Sequence, residues 1–210
     1  MARGAASPGS RRSAERGFLG GMPVAEQIDH SLGFVVAIER ILGRAPDQVA
    51  DLGTGGGVPG LVLHSCWPQA CLCLMDGNQR RTEFLSAEVE GWSGIRSVEV
   101  VRGRAEELAH EDRYRFRFDV VVARSFGPPA VTVECGAPLL GSGGMIVVSE
   151  PPGDFDEARW PLDGLAVLGM ELGPRERFDE RFGYQVLVQS EPSPERYPRR
   201  TGIPTKRPLF

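Results

Sequence analysis

A glycine-dense stretch behind a short apolar run limits the possible folds of this chain more than any other feature. Residues 49–52 read Val-Ala-Asp-Leu, residues 53–57 include four glycines, and an apolar segment at helical spacing resumes at Val58. This order predicts a strand, a tight loop and the start of a helix. Glycine lacks a Cβ and lets the main chain approach a ligand closely, and the N–H groups of a first helical turn have no partner within the helix. The stretch therefore predicts a cradle for a bound small molecule.

The glycine spacing favours one cofactor class over another. Gly55, Gly57 and Gly60 satisfy the dinucleotide pattern G-x-G-x-x-G, but that pattern places its first glycine at the very end of the strand. Here the strand ends in Asp51, and the tighter series that begins at Gly53 starts two residues later. Such an acid-x-Gly-x-Gly-x-Gly loop resembles that of class I methyltransferases, whose cofactor S-adenosylmethionine has no pyrophosphate. A tight turn without a ligand remains the alternative.

A second acid supports the cradle. The apolar run 70–75 ends in Asp76. Ligands of an open parallel sheet bind beyond the carboxyl ends of its strands, so we expect Asp76 to face the same crevice as the glycine loop. A carboxylate has enough lone pairs to accept from both hydroxyls of a ribose. The alternative is that Asp76 caps the helix predicted over 79–90, and the two roles are compatible.

Length and composition favour one domain. The 210 residues are enough for a single α/β domain and too few for two. The net charge of -4 argues against binding of nucleic acid over the whole face, but it allows a local basic patch. No apolar run reaches membrane-spanning length. We expect a cytoplasmic monomer without a metal, whose cysteines are reduced core residues: Cys66, Cys71, Cys73 and Cys135.

Strands and helices alternate along the body of the chain. Strands are predicted over 48–52, 70–75, 97–101, 118–123 and 143–149, with helices over 58–66, 79–90, 104–109 and 129–139. This alternation implies right-handed β-α-β units and a parallel sheet. Two further runs, 165–171 and 184–189, have no apolar helix between them and predict an antiparallel hairpin. The expected fold is a three-layer α/β sandwich with a mostly parallel seven-stranded sheet, as in class I methyltransferases.

The N-terminal part is predicted to be separate in character. Residues 1–22, with arginines among Ala, Ser, Pro and Gly, predict a disordered basic leader ahead of a single domain over 23–210. Apolar positions recur at helical spacing over 24–42, and we expect a helical cap over 23–46 that lies across the sheet or shields the cofactor. His30 in this helix is interpreted as a surface or capping residue.

Two more positions carry candidate chemistry. Glu106, in a stretch that follows the third strand, is expected near the cofactor's adenine, unless the stretch is a plain helix start with acids in its first turn. Arg124 ends the fourth strand, where an unpaired charge would be costly. We expect Arg124 to pair with a carboxylate, either that of Asp51 or that of the cofactor. A purely structural salt bridge is the alternative.

These motifs together resemble a known family, the ribosomal RNA small-subunit methyltransferase G family, also called glucose-inhibited division protein B. The resemblance covers the chain from about Ile28 to the end. The motifs that carry it are Asp51-Leu52-Gly53-Thr54-Gly55-Gly56-Gly57-Val58-Pro59-Gly60, Leu74-Met75-Asp76, Arg104-Ala105-Glu106-Glu107, Ala123-Arg124-Ser125-Phe126 and the ending Arg196-Tyr197-Pro198-Arg199-Arg200-Thr201-Gly202-Ile203-Pro204-Thr205-Lys206-Arg207-Pro208-Leu209.

The resemblance implies methylation of N7 of a guanine in 16S ribosomal RNA with S-adenosylmethionine as the methyl donor. Guanine N7 has a free lone pair, so no catalytic base is expected, and proximity with orientation supplies much of the rate. Residues expected to bind the cofactor, from the spacing and the resemblance together, are Asp51, Gly53, Gly55, Gly57, Val58, Asp76, Ala105, Glu106 and Arg124.

The C-terminal segment 196–210 is predicted to bind RNA. It holds five basic side chains and no acid although the whole chain is acidic, and its prolines favour an extended strip along a phosphate backbone. Tyr197 is expected to stack on a splayed base. A solvated tail is the alternative. The basic residues are Arg196, Arg199, Arg200, Lys206 and Arg207.

Departures from the family pattern keep other functions open. Family members usually carry a longer helical N-terminal region, and Gly56 replaces the usual proline of the loop. The main expectation is a methyltransferase that acts on 16S ribosomal RNA or on the 30S subunit. The alternatives are a small-molecule methyltransferase that has lost the RNA-binding cap, a non-catalytic cofactor-binding scaffold and, more remotely, an NAD-dependent oxidoreductase.

Overall fold

The computed structural model describes residues 21–90, 98–151, 153 and 156–210. The basic leader predicted over 1–22 therefore lies outside the described residues, apart from Gly21 and Met22. Within the described ranges the strands are β1 (Gln48–Leu52), β2 (Cys71–Asp76), β3 (Val98–Arg102), β4 (Phe118–Ala123), β5 (Leu140–Glu150), β6 (Met170–Phe178) and β7 (Phe182–Gln189). The α-helices are α1 (Val24–Leu42), α2 (Gly60–Cys66), α3 (Gln79–Glu90), α4 (Ala105–Leu108), α5 (Pro129–Gly136), α6 (Leu162–Ala166) and α7 (Ile203–Lys206).

The strands form one seven-stranded sheet in the order β3-β2-β1-β4-β5-β7-β6. Strands β1 to β5 run parallel, and β7 is inserted antiparallel between β5 and β6. The expected fold class and its antiparallel C-terminal hairpin are confirmed. The strand order reverses between β1 and β4, and the crevice beyond the carboxyl ends of these strands is where such sheets bind ligands.

Two apolar cores cover the two faces of the sheet and give three layers. On one face α1, α2 and α3 pack against side chains such as Val49, Leu74 and Val122. On the other face α4, α5, α6 and the C-terminal segment pack against side chains such as Leu52 and Ile146. The central strands are buried on both faces, which explains their near-continuous apolar sequence.

The hairpin differs in detail from the prediction. The run 165–171 was expected to be a strand, but its first part belongs to α6, and β6 begins at Met170. A short apolar run without alternation does not distinguish a buried helix from a strand. Here Leu165 and Leu168 are buried, and Gly169 turns the chain at a φ of 73° before β6 starts. The hairpin closes tightly, because Phe178 pairs directly with Phe182.

Two other expectations are wrong. His30 is not a surface residue: it is 7% exposed, and its ring packs against those of Phe34, Phe182 and Tyr184. The four cysteines are free, as expected, but two of them are exposed and two are buried. The exposed pair is Cys66 at the end of α2 and Cys71 at the start of β2.

Within the described ranges, every helix is too short or too polar to span a lipid bilayer.

Candidate active site

The acid at the end of β1 shapes the glycine loop from beneath. Oδ2 of Asp51 accepts hydrogen bonds from the Thr54 hydroxyl at 2.7 Å and from the Gly60 N–H at 2.8 Å. The carboxylate is 1% exposed. Burial raises the pKa of Asp51 to about 6, although both hydrogen bonds and the charge of Arg124 act in the opposite direction. A Cβ at Gly60 would lie 2.7 Å from Oδ2, so glycine is needed there for the acid to hold the loop.

The loop itself comes close to the strand beside it. The N–H groups of Gly53 and Thr54 both donate to the carbonyl of Met75 at the end of β2. Gly53 has a φ of 72°, and a Cβ there would lie 2.6 Å from Cδ2 of Phe126. The ring of Phe126 therefore covers the first glycine of the loop, at a place that no other residue type would fit without strain.

Asp76 joins the loops that follow β1 and β2. Its Oδ2 accepts from the Gly55 N–H at 2.9 Å, and its Oδ1 accepts from the Asn78 N–H at 2.7 Å. The predicted capping role of Asp76 is wrong, because Asn78 accepts from the Arg81 N–H in the first turn of α3. Asp76 instead orients the glycine loop and keeps lone pairs for a ligand.

A cavity of about 200 Å³ lies beside these loops at the carboxyl ends of β1, β2 and β4. It combines the two carboxylates of Asp76 and Glu106 with apolar walls, and this suits the ribose and ring of an adenosine. Of the predicted cofactor residues, Gly53, Asp76, Ala105 and Glu106 line it. Five predicted residues do not line it: Asp51, Gly55, Gly57 and Val58 form or support the loop, and Arg124 lies elsewhere. The remaining lining residues are Leu52, Met75, Gly77, Gly103, Arg104, Phe126, Gly127, Pro128, Val131, Cys135 and Thr205.

Arg124 follows β4 and is tied to the N-terminal helix. Its Nη2 donates a 2.6 Å hydrogen bond to Oε1 of Gln27 in α1. The predicted direct pair with Asp51 is not formed among the described residues, and Asp51 acts on Arg124 only at longer range. Burial lowers the pKa of Arg124. Its Nη1 is buried and has no hydrogen-bond partner in the described part of the chain. A ligand carboxylate is the group that such a donor fits.

Known proteins are similar to this chain over most of its length. The profile of the family described as rRNA small subunit methyltransferase G matches residues 24–160. Proteins named ribosomal RNA small subunit methyltransferase G are 37% identical over 167 residues in Carboxydothermus hydrogenoformans and 34% identical over 174 residues in Rubrobacter xylanophilus. The aligned parts cover 77% and 79% of this chain and 71% and 66% of the two relatives. The chain belongs to the rRNA small subunit methyltransferase G family.

Solved structures support the fold more widely. The magnesium protoporphyrin IX methyltransferase of Synechocystis, solved with bound S-adenosylmethionine, has a TM-score of 0.59 at 15% identity and covers 88% of this chain and 93% of its own. The antibiotic-resistance methyltransferase Kmr has a TM-score of 0.57 at 14% identity, with coverages of 73% and 92%. At these identities the likeness concerns the class I methyltransferase fold alone.

A second cavity adjoins the first in this family member. It has a volume of about 830 Å³ and lies on the other side of the loop after β4. Phe126 and Gly127 line both cavities and form a shared wall, and Arg124 and His30 line the second one. Burial, followed by the charge of Arg124, lowers the pKa of His30 to about 4. The lining of the second cavity therefore includes a neutral imidazole at neutral pH.

Buried ionic contacts hold the far side of this second cavity. Glu150 ends β5 and accepts from Nε of Arg159 and from Nε1 of Trp160, both at 2.9 Å. The side chain of Glu150 is 2% exposed. Both of its oxygens are thus engaged by the chain itself, and its role is to fix the segment that precedes α6.

The C-terminal segment differs from its prediction in two residues. Tyr197 is 6% exposed and belongs to the core, so its ring is not available to stack on a base. Arg199 makes a two-pronged ion pair with the fully buried Glu134, at 2.8 and 2.7 Å, and thus has a structural partner. Four of the predicted RNA-binding side chains are exposed: Arg196, Arg200, Lys206 and Arg207.

Among the lining residues that were not predicted, Thr205 is the most distant from the glycine loop in sequence. It lies in α7, far along the chain from the glycine loop, within a segment that resembled an RNA-binding strip. Its place in the cavity depends on contacts between the C-terminal segment and α4. Such contacts join residues distant in sequence and leave no local pattern.

Proposed function

We propose that this protein transfers the methyl group of S-adenosylmethionine to N7 of a guanine in 16S ribosomal RNA, either free or within the 30S subunit. Family membership supports the reaction class, and the names of the relatives point to ribosomal RNA of the small subunit. The observation that carries the proposal furthest is the pair of cavities that share the wall of Phe126 and Gly127. A methyl transfer needs a donor and an acceptor on two sides of one short gap.

The first cavity suits the adenosine half of the cofactor. Asp76 would accept from the ribose hydroxyls, since its oxygens keep free lone pairs after binding Gly55 and Asn78. Ala105 and Val131 lie on the apolar walls available to the adenine ring. The buried Nη1 of Arg124 would hold the carboxylate at the methionine end. When bound, the cofactor supplies an electrophilic methyl group on a sulfonium centre.

The second cavity suits the acceptor base. A base within a folded RNA must be unstacked before an enzyme reaches it, and a cavity beside the donor receives it. Phe126 offers a ring at the shared wall. Guanine N7 needs no deprotonation, so this chain needs only to orient the base and exclude water, and proximity with orientation contributes up to about 7–11 kcal/mol.

The test is methyl transfer from labelled cofactor to small subunits of cells that lack this protein, followed by mapping of the modified base. We expect label in ribosomal RNA at a guanine, as 7-methylguanine. Subunits from cells that contain the protein are the matched control, and their target should already be methylated. Label at another atom or base, or none above the control, would contradict the proposal.

A small-molecule methyltransferase is the second candidate, because the second cavity is large enough for a small substrate. The salt dependence of substrate binding distinguishes the two candidate functions. Binding of RNA through Lys and Arg contacts should weaken steeply as salt rises, with a slope of about 0.7 per phosphate contact for a single strand. A neutral small substrate should not respond to salt in this way.

A further inference from the structure

Exposed residues mark where the first cavity, which we propose for the adenosine half of the cofactor, opens to solvent. Of its lining residues, Gly77, Arg104, Gly127, Pro128 and Thr205 are exposed, whereas Leu52, Met75 and Cys135 on its inner walls are buried. The mouth is therefore bordered by the loops after β2, β3 and β4 and by helix α7.

Cations from three separate parts of the chain surround this mouth. Arg102 ends β3 opposite Asp76, and the side chain of Arg104 is 56% exposed. Lys206 and Arg207 directly follow Thr205 and are exposed. Two further arginines lie in the first turn of α3. We call this set the basic rim: Arg80, Arg81, Arg102, Arg104, Lys206 and Arg207.

Nearby acids offset only part of the charge of the basic rim. Arg81 pairs with Asp76 at 3.5 Å and Arg104 pairs with Glu106 at 3.3 Å, whereas no ion pair among the described residues engages the other four cations. Asp76 and Glu106 are 7% and 4% exposed, and both accept hydrogen bonds from the main chain. The exposed acids of this region, Glu83 and Glu107, accept hydrogen bonds from Gln79 and Thr201. The six cations of the rim outnumber these four acids. A rim rich in cations on a chain of net charge -4 is a concentrated site for a polyanion.

Hydrogen bonds hold the main chain that carries the C-terminal cations of the rim. Glu134 holds both the main chain and the guanidinium of Arg199. Glu106 accepts from the Gly202 N–H at 2.9 Å, and Arg115 donates to the carbonyl of Tyr197 at 2.9 Å. The segment is therefore bound to the domain, lines the first cavity through Thr205 and carries Lys206 and Arg207 beside its opening.

We propose that the phosphate backbone of the substrate RNA crosses the basic rim and closes the mouth of the cofactor cavity while the target base occupies the second cavity. This inference rests on the proposed function. It adds an order of events: the cofactor enters before the RNA, and S-adenosylhomocysteine leaves after it. Phosphate contacts position a strand without reading its sequence, and they suit exposed Lys and Arg side chains.

The test measures release of S-adenosylhomocysteine from the full-length protein, with and without saturating small-subunit RNA, by displacement with excess cofactor. We expect RNA to slow release at least about tenfold, within the usual range of coupling between two sites. A triple variant, Arg102→Gln with Lys206→Gln and Arg207→Gln, should bind S-adenosylhomocysteine normally without RNA, because none of the three lines the cavity. In this variant RNA should bind more weakly, with a salt slope reduced by about 2, and should no longer slow release.

The matched control removes three cations near the amino ends of the strands, on the side of the sheet away from the rim. Its substitutions are Arg44→Gln, Arg113→Gln and Arg117→Gln. It should behave as the unaltered protein in both measurements. If RNA is bound and methylated but release is equally fast with and without it, the rim proposal is overturned and the proposed function stands. If RNA is neither bound nor methylated, both are overturned.

Discussion

Arg124 and Gln27 are joined by a 2.6 Å hydrogen bond across 97 residues of sequence. The bond attaches the loop after β4 to the N-terminal helix, and Gln27 in turn donates to the carbonyl of Met22. Helix α1 therefore does more than cover the sheet. It holds Nη2 of the Arg124 guanidinium and leaves the buried Nη1 for a ligand.

We expect Arg124→Ala to weaken binding of S-adenosylhomocysteine by at least about tenfold, because a hydrogen bond to a charged group contributes roughly 1.5–3 kcal/mol. Titration calorimetry of the variant measures this. The control is Arg40→Ala, which removes an exposed cation of α1 that pairs with Glu176. This variant should bind S-adenosylhomocysteine normally. Unchanged affinity in Arg124→Ala would refute the role given to this arginine.

Two glycines with similar positive φ values allow the effect of backbone strain to be measured apart from the effect of a steric clash. Gly53 and Gly43 have φ values of 72° and 68°, but a new Cβ meets Phe126 at Gly53 and nothing within 4 Å at Gly43. Each Ala variant should lose about 1 kcal/mol or more of stability from the left-handed backbone. Gly53→Ala should also lose affinity for S-adenosylhomocysteine, whereas Gly43→Ala should keep it. Equal affinities by calorimetry would contradict the described packing of the loop.

Local sequence was sufficient for the part of the site that one stretch of chain builds. Strand β1 with Asp51, the glycine loop and α2 follow one another directly, so glycine and apolar spacing predicted them. The parallel order of the strands followed from the alternation with helices, and it placed Asp76 beside the loop. Those predictions required no knowledge of distant contacts.

Long-range partners explain what the sequence did not reveal. Arg199 resembled an RNA-binding residue because its partner Glu134 is 65 residues away. His30 resembled a surface residue because the rings that bury it belong mainly to β7. Thr205 enters the cavity through the same kind of contact. Charge and periodicity along the chain do not indicate which residues meet across it.

Of the ion pairs among the described residues, the one between Glu134 and Arg199 should cost the most stability when it is broken. Glu134 is fully buried, and removal of one partner of a buried pair costs about 3–5 kcal/mol. We expect the lower part of this range for Glu134→Gln, because the Arg199 side chain is 28% exposed. Urea unfolding measures the loss. Asp47→Asn, which breaks the exposed pair with Arg44, is the control and should cost no more than about 1 kcal/mol.

Stability should depend on pH through His30. Burial and then Arg124 lower its pKa from 6.5 to about 4, so between these values the unfolded chain binds a proton that the folded chain does not. The stabilisation is therefore complete above pH 6.5 and is lost as the pH falls toward 4. Between pH 7 and 4.5 the protein should lose about 2 kcal/mol more than His30→Phe, which keeps a ring among Phe34, Phe182 and Tyr184.

Urea midpoints of both proteins at the two pH values provide the comparison. Asp51, whose pKa is raised to about 6, changes stability in the opposite direction over part of this range. It is present in both proteins, so its effect cancels in the difference. Identical pH dependence of the two proteins would show that His30 titrates normally in the folded state.

The central claim is that the crevice between the glycine loop and Asp76 holds a sulfonium methyl donor. The most direct measurement is a calorimetric titration of the protein with S-adenosylhomocysteine, with NAD⁺ titrated in parallel. We predict one saturable site per chain for S-adenosylhomocysteine, weakened at least about tenfold in Arg124→Ala, and no heat of binding for NAD⁺. Saturable binding of NAD⁺, or no binding of S-adenosylhomocysteine by the folded protein, would contradict it.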